Sequence, residues 1–233
     1  VIRRFRGGFM LDLNTSRSMR LPTFTDLYYT TSETHTADPN LKPEHAYNYQ
    51  LGASYAPDRF MVKAIGYYRQ GRQVIDWIKE SNVTGAKWES HPIERLNTYG
   101  AELYLTYSGR KLIRQVSVSY GYVNSHNPDM PEGYTSRYAM DYMRNKIVIS
   151  GSFRFFKTIF LDINGAWYDR NNDSSLSEAQ DSPYWVLDAR LSWRKGVMTL
   201  YLDATNLLDQ RYHDFVGLPQ PPRWFIGGIA ITL

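Results

Sequence analysis

No cysteine occurs in these 233 residues, which excludes a disulfide framework and any thiolate metal site. No stretch approaches the roughly 18 to 20 consecutive apolar residues of a membrane-crossing helix, and the mean hydropathy is -0.49. That excludes helical spans and nothing more. A membrane β-barrel alternates lipid-facing and lumen-facing residues, so the two cancel in any average. The net charge of +4 comes with no basic run, so nucleic acid is not an expected partner. The sequence has no Gly-rich phosphate loop, no His-x-x-x-His pair and no Gly-x-Ser-x-Gly elbow, so neither an enzyme nor a resident cofactor is expected. His91 and His126 lie in polar segments and read as solvated side chains. The chain opens on Val1 with no leader pattern, and the expectation is a piece of a longer protein.

What is abundant is tyrosine, 19 residues with 6 Trp, in a pattern of period two. Phe225, Gly227, Ile229, Ile231 and Leu233 fall on one face, against Trp224, Ile226, Gly228, Ala230 and Thr232 on the other. Met198, Leu200, Leu202 and Ala204 alternate with Thr199, Tyr201, Asp203 and Thr205. Trp185, Leu187, Ala189, Leu191 and Trp193 do so with Val186, Asp188, Arg190, Ser192 and Arg194. Aromatics at both ends of an apolar band read as a lipid-facing stripe with interfacial girdles. The same alternation runs through segments beginning near Ile159, Ile147, Val116, Ala101 and Tyr47, and strands are expected from Phe60 to Trp77 and from Phe9 to Ser16. That makes about ten strands, with no internal domain boundary and no helix.

Connections alternate in length. Tight turns stand at Ala56-Pro57-Asp58, Ser108-Gly109-Arg110-Lys111, Phe155-Phe156-Lys157 and Lys195-Gly196. Long polar segments lie between them, at Leu21 to Lys42, Lys79 to Arg95, His126 to Tyr142, Arg170 to Ser182 and Asp209 to Pro222. Short turns on one side and long loops on the other define an outer-membrane barrel with its short side periplasmic. The expected fold is therefore all-β, a transmembrane antiparallel up-and-down β-barrel, on which Glu102 and Asp203 face the lumen. A soluble Tyr-rich β-sandwich binding module is the alternative outside the membrane class.

Two segments carry a resemblance: Ser16 to Tyr29 (Ser-Arg-Ser-Met-Arg-Leu-Pro-Thr-Phe-Thr-Asp-Leu-Tyr-Tyr) with Asp38-Pro39-Asn40-Leu41-Lys42-Pro43-Glu44, and Thr205-Asn206-Leu207-Leu208-Asp209-Gln210-Arg211-Tyr212 with Pro221-Pro222-Arg223. With Tyr49-Gln50-Leu51-Gly52 and Tyr99-Gly100-Ala101-Glu102-Leu103 in order between them, the chain resembles TonB-dependent outer-membrane receptors over nearly its whole length. That resemblance implies residues 1–233 are the last ten or so strands of a 22-stranded barrel. A plug domain, the remaining barrel strands, a TonB complex reached through the plug and outer-membrane lipid are the implied partners, and a capping surface lipoprotein is a further candidate. Barrels of the family usually end in Phe or Trp, where this chain has Leu233. On physical grounds Pro22 and Pro43 suit strand ends or loops, and Asn206 and Asp209 suit backbone bonds that tighten a loop.

The resemblance implies active import of a large scarce nutrient. The run Pro22 to Tyr29 is most similar to cobalamin receptors of the Bacteroidetes type, and a haem or ferric-siderophore receptor is the alternative. Haem receptors of the family carry an iron-ligating His in the interval that holds His35, and neutral imidazole suits iron. Candidate ligand contacts are Tyr28, Tyr29, Trp88, Tyr134 and Tyr138, whose rings offer large contact area at small entropic cost. His35 joins them, with Arg137 placed to meet a phosphate or carboxylate.

Overall fold

The computed structural model describes residues 1–128, 130–171, 183–214 and 218–232. Thirteen strands form one sheet, antiparallel along its main path: β1 Ile2–Arg4, β2 Phe9–Arg20, β3 His35–Thr36, β4 Glu44–Tyr55, β5 Phe60–Glu80, β6 Trp88–Ser108, β7 Ile113–His126, β8 Tyr134–Ser136, β9 Met143–Phe155, β10 Ile159–Arg170, β11 Tyr184–Lys195, β12 Met198–Thr205 and β13 Trp224–Ile231. Eleven follow one another across the sheet, β1-β2-β4-β5-β6-β7-β9-β10-β11-β12-β13, while β3 and β8 attach from the side. The expected ten are thus joined by the stub β1. A two-sheet sandwich is excluded, and among the described residues β13 does not pair with β1, so the sheet is an arc of barrel wall.

The alternation keeps one parity from edge to edge. Leu13 stands opposite Leu51, Ala64 opposite Leu103, Leu105 opposite Val118, Gly165 opposite Leu187, and Leu200 opposite Ile229. Asn14 with Gln50, Asp162 with Arg190 and Asp203 with Ile226 take the other face. A slip of one residue anywhere would invert every side chain beyond it, so this continuity fixes lipid and lumen faces for the whole arc. The outer face is exposed in the structure, with Leu51 at 59%, Leu202 at 48% and Ile229 at 67%. Apolar area of this extent matches the acyl chains of a bilayer rather than water.

On the lumen face two glycines sit under tyrosine rings of the neighbouring strand. A Cβ at Gly100 would collide with the Tyr67 ring and one at Gly228 with the Tyr201 ring. Glycine lets each ring lie flat across the pleat, the aromatic rescue of a strand glycine. Short turns join β1 to β2, β4 to β5, β6 to β7, β9 to β10 and β11 to β12, all at the periplasmic end.

The opposite end departs from expectation. The segment from Lys79 to Arg95 is mostly strand: β5 and β6 pair from Phe60↔Tyr107 up to Ile78↔Glu89, leaving only residues 81–87 as connection. The 21 residues of β5 and of β6 rise about 70 Å, against the roughly 10 residues that cross a membrane. Gln73 interrupts this ladder at φ 53° without changing its register. β2 likewise continues past Ser16 to Arg20. A helix forms where none was expected, α1 Phe24–Tyr28, because Thr23 and Asp26 close a capping box. Asp26 N donates to Thr23 Oγ1 at 3.2 Å, and Thr23 N donates to Asp26 Oδ2 at 2.9 Å. Most of the expected loop Arg170 to Ser182, and Leu233, lie outside the described residues.

Candidate functional site

Above the membrane the β5/β6 hairpin presents two free edges. Exposed edges invite pairing with other chains, and this one is covered on both sides. β8 pairs with β5 (Ile78↔Ser136, Lys79↔Thr135, Glu80↔Tyr134), and β3 runs parallel to β6 (His35↔Trp88, Thr36↔Glu89). Where β4 ends, a side chain continues its ladder: Glu44 Oε1 accepts from Ile75 N at 2.7 Å while binding Arg20 Nη2 at 2.6 Å.

Asp76 is the hub of this surface-loop assembly. It stands in the apolar run Val74-Ile75-Asp76-Trp77-Ile78 and is 1% exposed. Its Oδ1 accepts from Trp77 N at 2.8 Å and Tyr138 N at 3.0 Å, and its Oδ2 from Ala139 N at 3.2 Å and from Ser136 Oγ. Ser136 Oγ in turn accepts from Met140 N at 3.0 Å. Burial pushes the Asp76 carboxyl above its ordinary pKa, and these four donors pull the other way. A second staple lies beside it, where buried Arg170 donates to Asp141 and, at 3.2 Å, to Asp214. The loop carrying β8 is thereby fastened to β5 on one side and to the top of β10 on the other.

Five of the seven candidate residues meet on the face of the hairpin that carries Trp77. The His35 ring lies edge-on to Trp77 at 5.2 Å and to Tyr29 at 5.2 Å, and Tyr29 lies 6.5 Å from Trp77. Arg137 Nη1 donates to His35 Nε2 at 2.9 Å, and its guanidinium stacks over Trp88 at 5.3 Å and Tyr138 at 5.5 Å. Lys79 stands 4.9 Å from the Trp88 ring. With Nε2 accepting, the His35 proton is on Nδ1, which donates to Thr34 Oγ1 at 2.8 Å. Burial and then the Arg137 charge hold the imidazole pKa below its ordinary value, which favours this neutral form. Tyr28 turns instead to Phe24, ring centroids 5.0 Å apart, and Tyr134 stands opposite Glu80 toward the hairpin tip.

Sequence reasoning missed Asp76, Ser136 and Trp77. The available signal was an acid inside an apolar run, which survives burial only when fully hydrogen-bonded. Asn206 does take the structural role expected of it: it accepts from Gln210 N at 2.9 Å and donates to Gln210 O and Pro221 O at 2.9 and 3.2 Å. Asp209 likewise accepts from Arg223 N at 3.0 Å, closing the loop before β13. Among the described residues no cluster of three or more His, Asp or Glu is arranged to hold a metal ion.

A transmembrane arc with short periplasmic turns and interlocked surface loops matches one known family. Residues 4–207 fit the description "TonB dependent receptor-like, beta-barrel". The chain belongs to that family. Its members are transporters and receptors built as outer-membrane β-barrels, so this chain is part of a bacterial outer-membrane protein. Among curated proteins it is 29% identical over 108 residues to the vitamin B12 transporter BtuB of Photobacterium profundum, covering 46% of this chain and 17% of that protein. Among solved structures it superposes on the copper transporter OprC with TM-score 0.78 at 14% identity, covering 98% of this chain and 37% of that one. The ferric enterobactin receptor PfeA of Pseudomonas aeruginosa gives 0.75 at 16% identity, covering 99% and 39%. The siderophore receptor PirA of Acinetobacter baumannii gives 0.72 at 12%, covering 99% and 40%. These solved structures share the fold. The chain spans about a sixth of the curated relative and under half of each solved barrel.

Proposed function

We propose that residues 1–233 are the C-terminal part of the barrel of an importer for a large nutrient, with a corrinoid of the cobalamin class as its cargo. The rest of such a transporter supplies a plug domain, about twelve more strands and the contact with a TonB-type energising partner. The observation that carries the cargo is the 29% identity over 108 residues to a vitamin B12 transporter, since the siderophore and copper transporters share the fold at 16% identity or less. The surface-loop assembly is consistent with it. Tyr29, Trp77, Trp88 and Tyr138 offer rings to a broad rigid ligand, and Arg137 offers a cation for a phosphate of the kind a nucleotide-tailed corrinoid carries.

A ferric siderophore or haem is the second reading, favoured by the siderophore receptors among the solved structures. Against haem in particular, both ring nitrogens of His35 are engaged, one by Arg137 and one by Thr34. The test is the absorption spectrum of the full-length protein after incubation with cyanocobalamin, haem or a ferric siderophore. Retention of the corrinoid band through gel filtration supports the proposal, whereas retention of a haem or ferric band alone overturns it.

A further inference from the structure

The periplasmic rim carries charge of nearly one sign. Its short turns and the strand end beside them hold Arg6, Arg59, Arg110, Lys111, Lys157 and Lys195, against the single acid Asp58. All seven are exposed, and among the described residues none of the six cations forms an ion pair. The other end of the molecule mixes both signs and pairs them, as Arg170 does with Asp141.

Apolar side chains stand beside these cations. Phe156 is 87% exposed at a turn tip, at φ 54°, a backbone region that costs a bulky residue energy. Leu112 is 48% exposed in the adjacent turn and Val197 58% in the next. Lys111, Leu112, Arg154, Phe155 and Phe156 line one cleft of about 360 Å³, where Arg154 N donates to Leu112 O at 2.7 Å and ties the two turns together. Phe155 belongs to the lipid-facing set of β9, so the cleft opens at the lower border of the apolar band.

We propose that this rim binds anionic phospholipid of the leaflet around it, a phosphatidylglycerol-type headgroup meeting Lys111 and, in the neighbouring turn, Lys157, with its acyl chains against Leu112, Phe155 and Phe156. Cations at the border of an apolar stripe meet headgroup phosphates, and each contributes at an anionic surface. The cations recur in every short turn along the arc, as a continuous leaflet requires, whereas a single protein partner would need them at one place. The aromatic at the turn tip, 87% exposed and at a costly backbone angle, has apolar surroundings once lipid is present.

The experiment uses the full-length protein in nanodiscs of phosphatidylethanolamine, with and without one fifth phosphatidylglycerol. Lipids retained on release into detergent are counted by native mass spectrometry. Wild type is expected to retain phosphatidylglycerol over phosphatidylethanolamine, and the variant Lys111→Gln/Lys157→Gln to lose that preference by about tenfold. The variant Lys87→Gln/Arg211→Gln, on the opposite end, is expected to keep it. As a measurement that needs no variant, acetylation of Lys111 and Lys157 in wild type should be slower in discs containing phosphatidylglycerol. Equal retention of the two lipids, or preference unchanged in the double variant, overturns the proposal. So does carbodiimide cross-linking of Lys111 or Lys157 to a protein carboxylate, which would show that an acidic polypeptide covers the rim instead.

Discussion

The lower and upper halves of the same two strands are built on different principles. From Phe60 to about Gln70, β5 is held by β4 and β6, its neighbours in sequence, and each side chain has one of two fates, lipid or lumen. From Ile75 to Glu80 the same strand, still paired with β6, gains the Glu44 side chain at Ile75 and β8, more than fifty residues away, at Ile78 to Glu80, while β6 gains β3, and the centre of the packing is a buried carboxylate. The wall is local and tolerant of any residue of the right polarity. The surface assembly is non-local and depends on individual atoms. A strand can thus change from membrane scaffold to platform for surface loops without a change in its register, once loop segments arrive to cover its edges.

The comparison breaks most visibly in the wall. Leu161→Arg or Leu187→Arg places a cation in the acyl region and should cost about 2 to 4 kcal/mol, while Asn164→Arg on the lumen side of the same strand as Leu161 should be tolerated. Unfolding in urea with lipid vesicles present measures both, and equal effects on the two faces would invert the assignment. Asp76→Ala leaves three amides and the Ser136 hydroxyl without their acceptor and should destabilise the upper half locally by about 2 to 3 kcal/mol. Hydrogen exchange at Tyr138 and Ala139 should accelerate with no change along residues 60–70; acceleration in both halves would mean that the two are not separable. His35→Ala should weaken corrinoid binding by less than about 1 kcal/mol, as loss of one contact among many does. Titration calorimetry on the full-length protein decides it, and loss of haem-dependent growth in this variant would restore the haem reading.

The smallest effect is that of pH. The folded-state pKa of His35 lies below its ordinary 6.5, so the folded form prefers the neutral ring. Its contribution is present above pH 6.5 and is lost as pH falls through the depressed value, because protonation puts a charge on a partly buried ring and sets it against Arg137. Exchange at β3 should therefore quicken as pH falls below about 6.5 while β4 stays unchanged; acceleration of both strands alike would trace the change to something other than this contact.

The wall was readable from the sequence because its code has period two and its partners are adjacent hairpins. Residues such as Leu187, Leu200 and Ile229 could be assigned a face before any coordinates existed. The extension of β5 and β6 was not readable, because Trp88-Glu89-Ser90-His91-Pro92 looks polar and irregular until β3 is laid beside it. The α1 turn was hidden for another reason. A capping box of two side chains, Thr23 and Asp26, outweighs a segment of five residues with no helical periodicity. The convergence of Tyr29, His35, Trp88, Arg137 and Tyr138 joins residues separated by up to about a hundred positions, a distance over which propensity carries no information.

The β5/β6 ribbon is also a mechanical part. Its base is gripped by neighbours on both sides, its far end carries the aromatic cluster, and its one irregular residue, Gln73 at φ 53°, lies just above the membrane band. Were the ribbon to turn about that residue, the roughly 20 Å from Gln73 to Glu80 would multiply a small rotation into a travel of several ångströms at the tip, a travel that β3 and β8 on its two edges restrain. Trp77 and Trp88 sit on the outer length of that lever, so a push on either ring would act at the level of the barrel mouth.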